Sequence, residues 1–281
     1  MPGQDQSRTE PDQLRPVAGI VLDVDGTLLD PDHRLSPANA AAVARARAAG
    51  LQVLLASGRS ARALLPVVAA LELDGSVIAF NGALTFRVAD GAVKSLDGTP
   101  LDRELAAGAL RLAREHGIEA GWFELGGWRV RVLGPGAVEE AGLTDEPPTV
   151  SPDLPDGAAP PYKLMCIAVT RAETAALHAL RDRLPDTVAA SFSHERYLEI
   201  TAPGTDKAHA VRAAAARLGL APSDFAAIGD AENDVAMLRA AGVGIAMGNA
   251  SAPVLAATAH RTAANDRDGV ARAIDALLAA R

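Results

Sequence analysis

The strongest constraint on this chain is a rhythm: apolar runs of strand length that end in a turn rich in glycine or carboxylate, each followed by an alanine-rich stretch. Residues 17–22 read VAGIVL and stop at DVDGTLLD. A continuous apolar run is what a parallel strand buried on both faces requires. Ser36 then serves as an N-cap, Pro37 takes the first helical position and Gly50 stops the helix. A second run at 51–56 ends in SGR, a helix resumes near Ser60 with Pro66 set to kink or delay it, and a third run at 76–80 ends in NGA. The same rhythm returns late in the chain. There, helices at 206–218, 233–240, after Ser251 and at 269–280 alternate with strands at 225–228, 243–246 and near His260. This β-α-β alternation predicts an α/β fold, a doubly wound parallel sheet with helices on both faces.

Between the two halves the rhythm changes. A hairpin at 84–96 around Ala89-Asp90-Gly91 is followed by a helix at 102–116 and strands at 119–124 and 128–133. A Pro/Gly/Asp-rich stretch at 145–161 leads to a strand at 163–169, a helix at 171–184 and strands near 187–192 and 197–201. Paired strands with fewer helices predict a small α+β domain inserted into the parallel one. The expected division is a core of 16–85 and 195–281, an insert of 86–194 with hinges near Phe86 and His194, and a loose tail of 1–15 that holds too little apolar surface for a signal peptide or a core element.

Composition narrows the function classes. A formal net charge of −8 argues against a charge-driven partnership with nucleic acid or an anionic membrane, so the expected partner is a small molecule, with no obligate protein partner evident. The single cysteine, Cys166, lies in an apolar run and reads as a buried thiol in a reducing, cytoplasmic setting. The longest uncharged stretch, 240–260, is broken by Gly242, Gly244, Gly248 and Pro253, so no membrane span is expected.

The candidate chemistry sits at strand ends. Asp23 and Asp25 close the first strand, where open α/β sheets bind their ligands, and Gly26 permits a tight turn. A calcium loop is excluded because the twelfth position, Arg34, is not a carboxylate. Strand 225–228 ends in GDAENDVAM, which adds Asp230, Glu232, Asn233 and Asp234 near Asp23. Acidic groups converging on one sheet edge call for a hard cation, and Mg2+ is the oxygen-seeking candidate. Ser57, Gly58 and Arg59 follow the second strand and offer a hydroxyl and amides to an anion. Lys207, in the first turn of a helix, opposes the helix dipole unless an anion lies before it.

In this order, DVDGT at 23–27, SGR at 57–59, Lys207 and GDAEND at 229–234 resemble the four motifs of the haloacid dehalogenase superfamily. FNGA at 80–83, GVGIAMGNA at 242–250 and NDRDGVA at 265–271 are similar to its Cof-type class IIB. The resemblance implies a Rossmann-like core with an inserted cap of the C2B type, and a phosphatase of small phosphorylated metabolites such as sugar phosphates. Asp23 would attack phosphorus and form an aspartyl-phosphate, and Asp25 would act as acid and then as base. Ser57, Gly58, Lys207 and Asn233 would bind the phosphoryl group. Mg2+ would be held by Asp23, the Asp25 backbone carbonyl and Asp230, with Asp234 and Asn233 in support. A phosphomannomutase-type phosphotransferase would use the same nucleophile. A receiver-like phospho-acceptor would need neither the insert nor Asp25. In the insert, GWFELGGWRV sets Trp122, Phe123, Glu124, Trp128 and Arg129 either in the domain's own core or on a wall facing substrate. Lys163 and His194 carry the same two readings.

Overall fold

A computed structural model describes residues 14–89 and 92–281. In chain order the first half comprises β1 (Gly19–Leu22), α1 (Pro37–Ala48), β2 (Gln52–Ala56), α2 (Ala61–Ala70), β3 (Val77–Ala79), β4 (Leu84–Ala89) and β5 (Ala92–Gly98). The middle holds α3 (Arg103–Glu115), β6 (Glu119–Glu124), β7 (Gly127–Val130), α4 (Pro135–Thr144), β8 (Thr149–Val150), β9 (Lys163–Ile167), α5 (Arg171–Arg183), β10 (Ala189–His194) and β11 (Tyr197–Thr201). The last part returns through α6 (Lys207–Arg217), β12 (Phe225–Gly229), α7 (Val235–Ala240), β13 (Val243–Ala246), α8 (Ala252–Ala257), β14 (His260–Arg261) and α9 (Gly269–Ala279).

Among the described residues the strands form two sheets. The larger runs β14-β13-β12-β1-β2-β3-β4-β5, parallel from β14 to β3 and antiparallel at β4 and β5. Burial alternates along β1: Ile20 and Leu22 join one apolar cluster with Val43 of α1 and Ile274 of α9, while Val21 joins another with Val211 of α6 and Met237 of α7. Both faces of the strand are covered, which is why it reads as an unbroken apolar run. The smaller sheet runs β10-β11-β9-β6-β7-β8. Leu110 of α3, Leu177 and Leu180 of α5, Trp122 and Cys166 fill one of its faces. Burial pushes the Cys166 thiol up to about 12, so it behaves as an apolar filler.

Strand pairing moves the expected junctions. β4 and β5 extend the larger sheet, so the chain leaves that sheet after Gly98 rather than near residue 86. β11 pairs with β9 and β10, so the return falls after Thr201 rather than at 194. A hairpin appended antiparallel to a parallel sheet carries the same local pattern as one in an insert, and only its partner distinguishes the two. The expected tail of 1–15 lies outside the described residues except for its last two members. Leu14 packs into the core, and Arg15 Nη2 donates to the Ser223 carbonyl at 2.6 Å. Asp90 and Gly91 of the expected hairpin turn also lie outside the described residues. The strand expected at 128–133 stops at Val130, and α4 follows where no helix was expected.

Candidate active site

The parallel register brings the motif residues to one sheet edge. Leu22 pairs with Ile228 on one side and Leu55 on the other, so Asp23, Ser57 and Asp230 all emerge at the carboxyl ends of neighbouring strands. Asp23 is buried, and its Oδ1 accepts from Lys207 Nζ at 2.6 Å. Lys207 Nζ also donates to Asp234 Oδ1 at 2.7 Å, and Asp234 Oδ2 accepts from the backbone N–H groups of Asp230 and Ala231. Asp230 Oδ1 accepts from Thr27 Oγ1 at 2.6 Å. Gly26 at φ 75° lets this carboxylate approach, because a Cβ there would lie 2.4 Å from Asp230 Oδ2.

Carboxylate oxygens of Asp23, Asp230 and Asp234 lie within 4.8 Å of one another, and the Lys207 ammonium bridges two of them, Asp23 and Asp234. Burial and the neighbouring Asp234 charge hold the Asp23 carboxyl well above its usual range, and the same causes push Asp230 up to about 7. Burial alone would lower the Lys207 ammonium, but the Asp23 and Asp234 charges hold it above its ordinary value. Excess negative charge on hard oxygens is the donor set a small divalent cation takes, so the three residues fit the expected metal.

Asp25 stands apart from this group. Burial works to raise it, yet hydrogen bonds from His33 and Arg59 hold its carboxyl well below the usual range. Arg59 grips both oxygens, Nε on Oδ2 at 2.8 Å and Nη2 on Oδ1 at 2.6 Å, and His33 Nδ1 lies 3.1 Å from Oδ1. Its side chain is turned to this clamp rather than into the Asp23–Asp230–Asp234 cluster. Ser57 is buried, and its Oγ accepts from the Arg59 backbone N–H at 3.1 Å. The Gly58 carbonyl accepts from Lys163 Nζ at 2.6 Å, and Asn233 Nδ2 donates to Asn81 Oδ1 at 2.9 Å.

A cavity of about 350 Å³ separates this edge from the smaller sheet, and its far wall comes from that sheet and from α4. Lys163, His194 and Tyr197 line it, and α4 adds Glu139 and Glu140. Burial pushes Glu140 up to about 7 against the pull of Lys163. Tyr197 is pushed up to about 12 by burial and by Glu140, and its buried hydroxyl has no hydrogen-bond partner among the described residues. Sequence reading missed Glu139 and Glu140; the available signal was Gly134-Pro135, a helix start with Pro at its first position.

The aromatic segment divides. Trp122 is fully buried, with its indole N–H on the Ala159 carbonyl. Phe123 and Trp128 stack at 4.8 Å on the opposite face, and Phe80 of the core meets Phe123 edge-on and stacks on Tyr162. Glu124 and Arg129 pair with each other at 3.1 Å and do not line the cavity. Glu146 accepts from Ser60, the N-cap of α2, and Arg181 of α5 pairs with Glu232 at 3.1 Å, so the smaller domain is tied down on two sides of the cavity.

Residues 20–274 match a family model described as haloacid dehalogenase-like hydrolase. The chain belongs to that family. Its relatives include an HMP-PP phosphatase of Serratia proteamaculans, 31% identical over 82% of this chain and 83% of that protein. The pyridoxal phosphate phosphatase YbhA of Escherichia coli is 27% identical over 91% of this chain and 96% of its own length. The chloroplastic endoribonuclease YBEY of Arabidopsis thaliana is 28% identical over 97% of this chain, which spans about half (49%) of that protein. Among solved structures, a haloacid dehalogenase-like hydrolase from Bacteroides thetaiotaomicron superposes with a TM-score of 0.80 at 28% identity, covering 92% of this chain and 98% of that one. The mixed α/β core and its inserted cap are thus those of the family, and none of the described helices is long and apolar enough to cross a membrane.

Proposed function

We propose that this protein is a Mg2+-dependent phosphatase of small phosphorylated metabolites, sugar phosphates foremost, that works through an aspartyl-phosphate on Asp23. The observation that carries this reading is the placement of Asp23: a buried carboxylate with one oxygen fixed by Lys207, beside two further carboxylates at the mouth of a covered cavity. The relatives named as phosphatases of pyridoxal phosphate and of HMP-PP support the substrate class.

In the first half-reaction the free oxygen of Asp23 attacks phosphorus, the bond from phosphorus to the substrate oxygen breaks, and the departing alcohol takes a proton from Asp25. In the second half a water oxygen attacks phosphorus, its proton passes to Asp25, and the bond to Asp23 breaks to release inorganic phosphate. The clamp of Arg59 and His33 holds Asp25 ionised, the state needed to accept that proton. In the first half a bound phosphate dianion competes for the Arg59 guanidinium and relaxes the clamp, so Asp25 can carry a proton. Lys207, the Ser57 hydroxyl and the Gly58 amide hold phosphoryl oxygens, and Asn233 stands beside them. Asp23, Asp230 and the Asp25 carbonyl, supported by Asp234 and Asn233, would hold Mg2+, whose charge neutralises the phosphoryl oxygens in a reaction that depends on positioning and electrostatics. The setting is cytoplasmic and the partner a small molecule, with neither nucleic acid nor membrane.

Phosphate release from sugar phosphates, nucleotides and p-nitrophenyl phosphate, with Mg2+ or EDTA, tests the reading. Wild type is expected to release phosphate only with Mg2+, and Asp23→Asn none. Equal release by Asp23→Asn would defeat it.

A further inference from the structure

A second polar network, built half from the cap, reaches the same cavity. Lys163 at the start of β9 and Glu199 in β11 are 2% and 4% exposed and pair at 3.2 Å. Lys163 Nζ lies 4.8 Å over the Phe123 ring and donates to the Gly58 carbonyl of the core. Glu199 Oε2 accepts from Asn81 Nδ2 at 2.8 Å, and Asn81 Oδ1 in turn accepts from Asn233 Nδ2. Gly58 makes room for the Glu199 carboxylate, since a Cβ there would stand 2.8 Å from Oε1 and 3.2 Å from Asn81 Oδ1.

The chemistry of the end member fixes the sense of the whole relay. A carboxylate paired with an ammonium only accepts, so Asn81 must turn its NH2 toward Glu199 and its carbonyl toward Asn233. Asn233 must then turn its NH2 to Asn81, which leaves its own Oδ1 over, buried and without a partner in the cavity wall. A buried acceptor left unpaired costs free energy unless some donor reaches it. Asn81, at φ 55° and 4% exposure, has no side-chain hydrogen-bond partner among the described residues besides Glu199 and Asn233, and of the two only the Glu199 carboxylate is limited to accepting, so Glu199 dictates the orientation.

We infer that Glu199 is a positioning residue of the reaction: acting through Asn81, this cap carboxylate sets the Asn233 amide so that its oxygen, not its NH2, is presented to the cavity. Because Glu199 belongs to the cap and Asn81 and Asn233 to the core, the setting exists only while the cap is seated. The inference rests on the phosphatase reading above and adds to it a cap residue that governs catalysis rather than substrate choice.

A double-mutant cycle on p-nitrophenyl phosphate tests it. A glutamine side chain can donate as well as accept, so Glu199→Gln frees both asparagines to invert; the expected loss is about tenfold in kcat with KM changed by no more than about twofold. Asn81→Ala is expected to lose a similar amount, and the double variant no more than Asn81→Ala alone. Glu199→Asp, still an acceptor only, is expected to stay within about threefold of wild type. Losses that multiply in the double variant, or an equal loss in Glu199→Asp and Glu199→Gln, would overturn the inference. Since Glu199→Gln leaves the Lys163 charge buried alone, Lys163→Met/Glu199→Gln is measured beside it. That pair is expected to fold, by its thermal melt, and to show the same kcat loss; full activity in it overturns the inference as well. Wild type that releases no phosphate from any substrate defeats the phosphatase reading and this inference with it, whereas an active wild type with multiplying losses defeats the inference alone.

Discussion

Lys207 and Lys163 are both buried ammonium groups beside the same strand ends, yet they are held in different ways. Lys207 sits between two carboxylates of the core, whereas Lys163 has one carboxylate, one backbone carbonyl, the Met165 thioether and the face of a ring, and its carbonyl partner lies across the junction between the two domains. The contacts of the first lie wholly within the core. The contact of the second with Gly58 exists only when cap and core meet. The difference separates contacts made within the core from contacts made across the junction, and under the proposed function it gives the two lysines different expected phenotypes.

Replacing Lys207 sharpens that contrast most. Lys207→Met is expected to lower kcat/KM by about 10²–10³, the cost of losing one fixed charge from a site of developing negative charge. It also leaves Asp23 and Asp234 facing each other, so its thermal melt without metal is expected to fall and to recover in part with Mg2+. Lys163→Met is expected to cost much less, about tenfold, because no phosphoryl contact is removed. Equal losses from the two, measured on p-nitrophenyl phosphate, would erase the distinction.

A smaller effect separates the two walls by pH. Glu140 in the cap and Asp230 in the core are both pushed up to about 7, chiefly by burial. The folded chain therefore binds these protons more tightly than the unfolded chain, so each group stabilises the fold at low pH and its contribution is lost as pH rises from about 4 through 7. Melts of metal-free protein are expected to fall over that window by the order of a few degrees. Mg2+ is expected to flatten the part owed to Asp230 and to Asp23, which is raised by the same causes, and to leave the Glu140 part, which Glu140→Gln removes. A metal-free melt that rises across the window would contradict this assignment.

The core was legible because its physics is local. Each strand buried on both faces shows as an apolar run, and the residues after it are delivered to the same edge by parallel register, so Asp23, Ser57, Asp230 and Asp234 could be assembled from strand ends; Lys207, in the first turn of a helix, was joined to them by the motif order of the family it resembles. Three things were not legible. Helix α4 was hidden by Gly134, Gly136 and Gly142, whose weak propensity is outweighed by packing of Ala137 into the core, and with it went Glu139 and Glu140. The sheet to which β4 and β5 belong depends on their pairing partner, which no periodicity records. The clamp of Arg59 on Asp25 and the contact of Lys163 with Gly58, 105 residues away, depend on side-chain reach across the fold. Lys163 opens a strand like any edge lysine, and nothing near it in the chain marks its ammonium as buried.

In the proposed reaction Asp23 carries the phosphoryl group. The most direct measurement is an acid quench during rapid turnover of p-nitrophenyl phosphate with Mg2+, followed by mass analysis of the peptide that contains residues 17–29. The expected result is a phosphoryl adduct on Asp23 that forms before steady-state phosphate appears and is missing in Asp23→Asn. Phosphate released with no adduct at any time would mean that water attacks the substrate directly, and the account of Asp23 as nucleophile would be wrong.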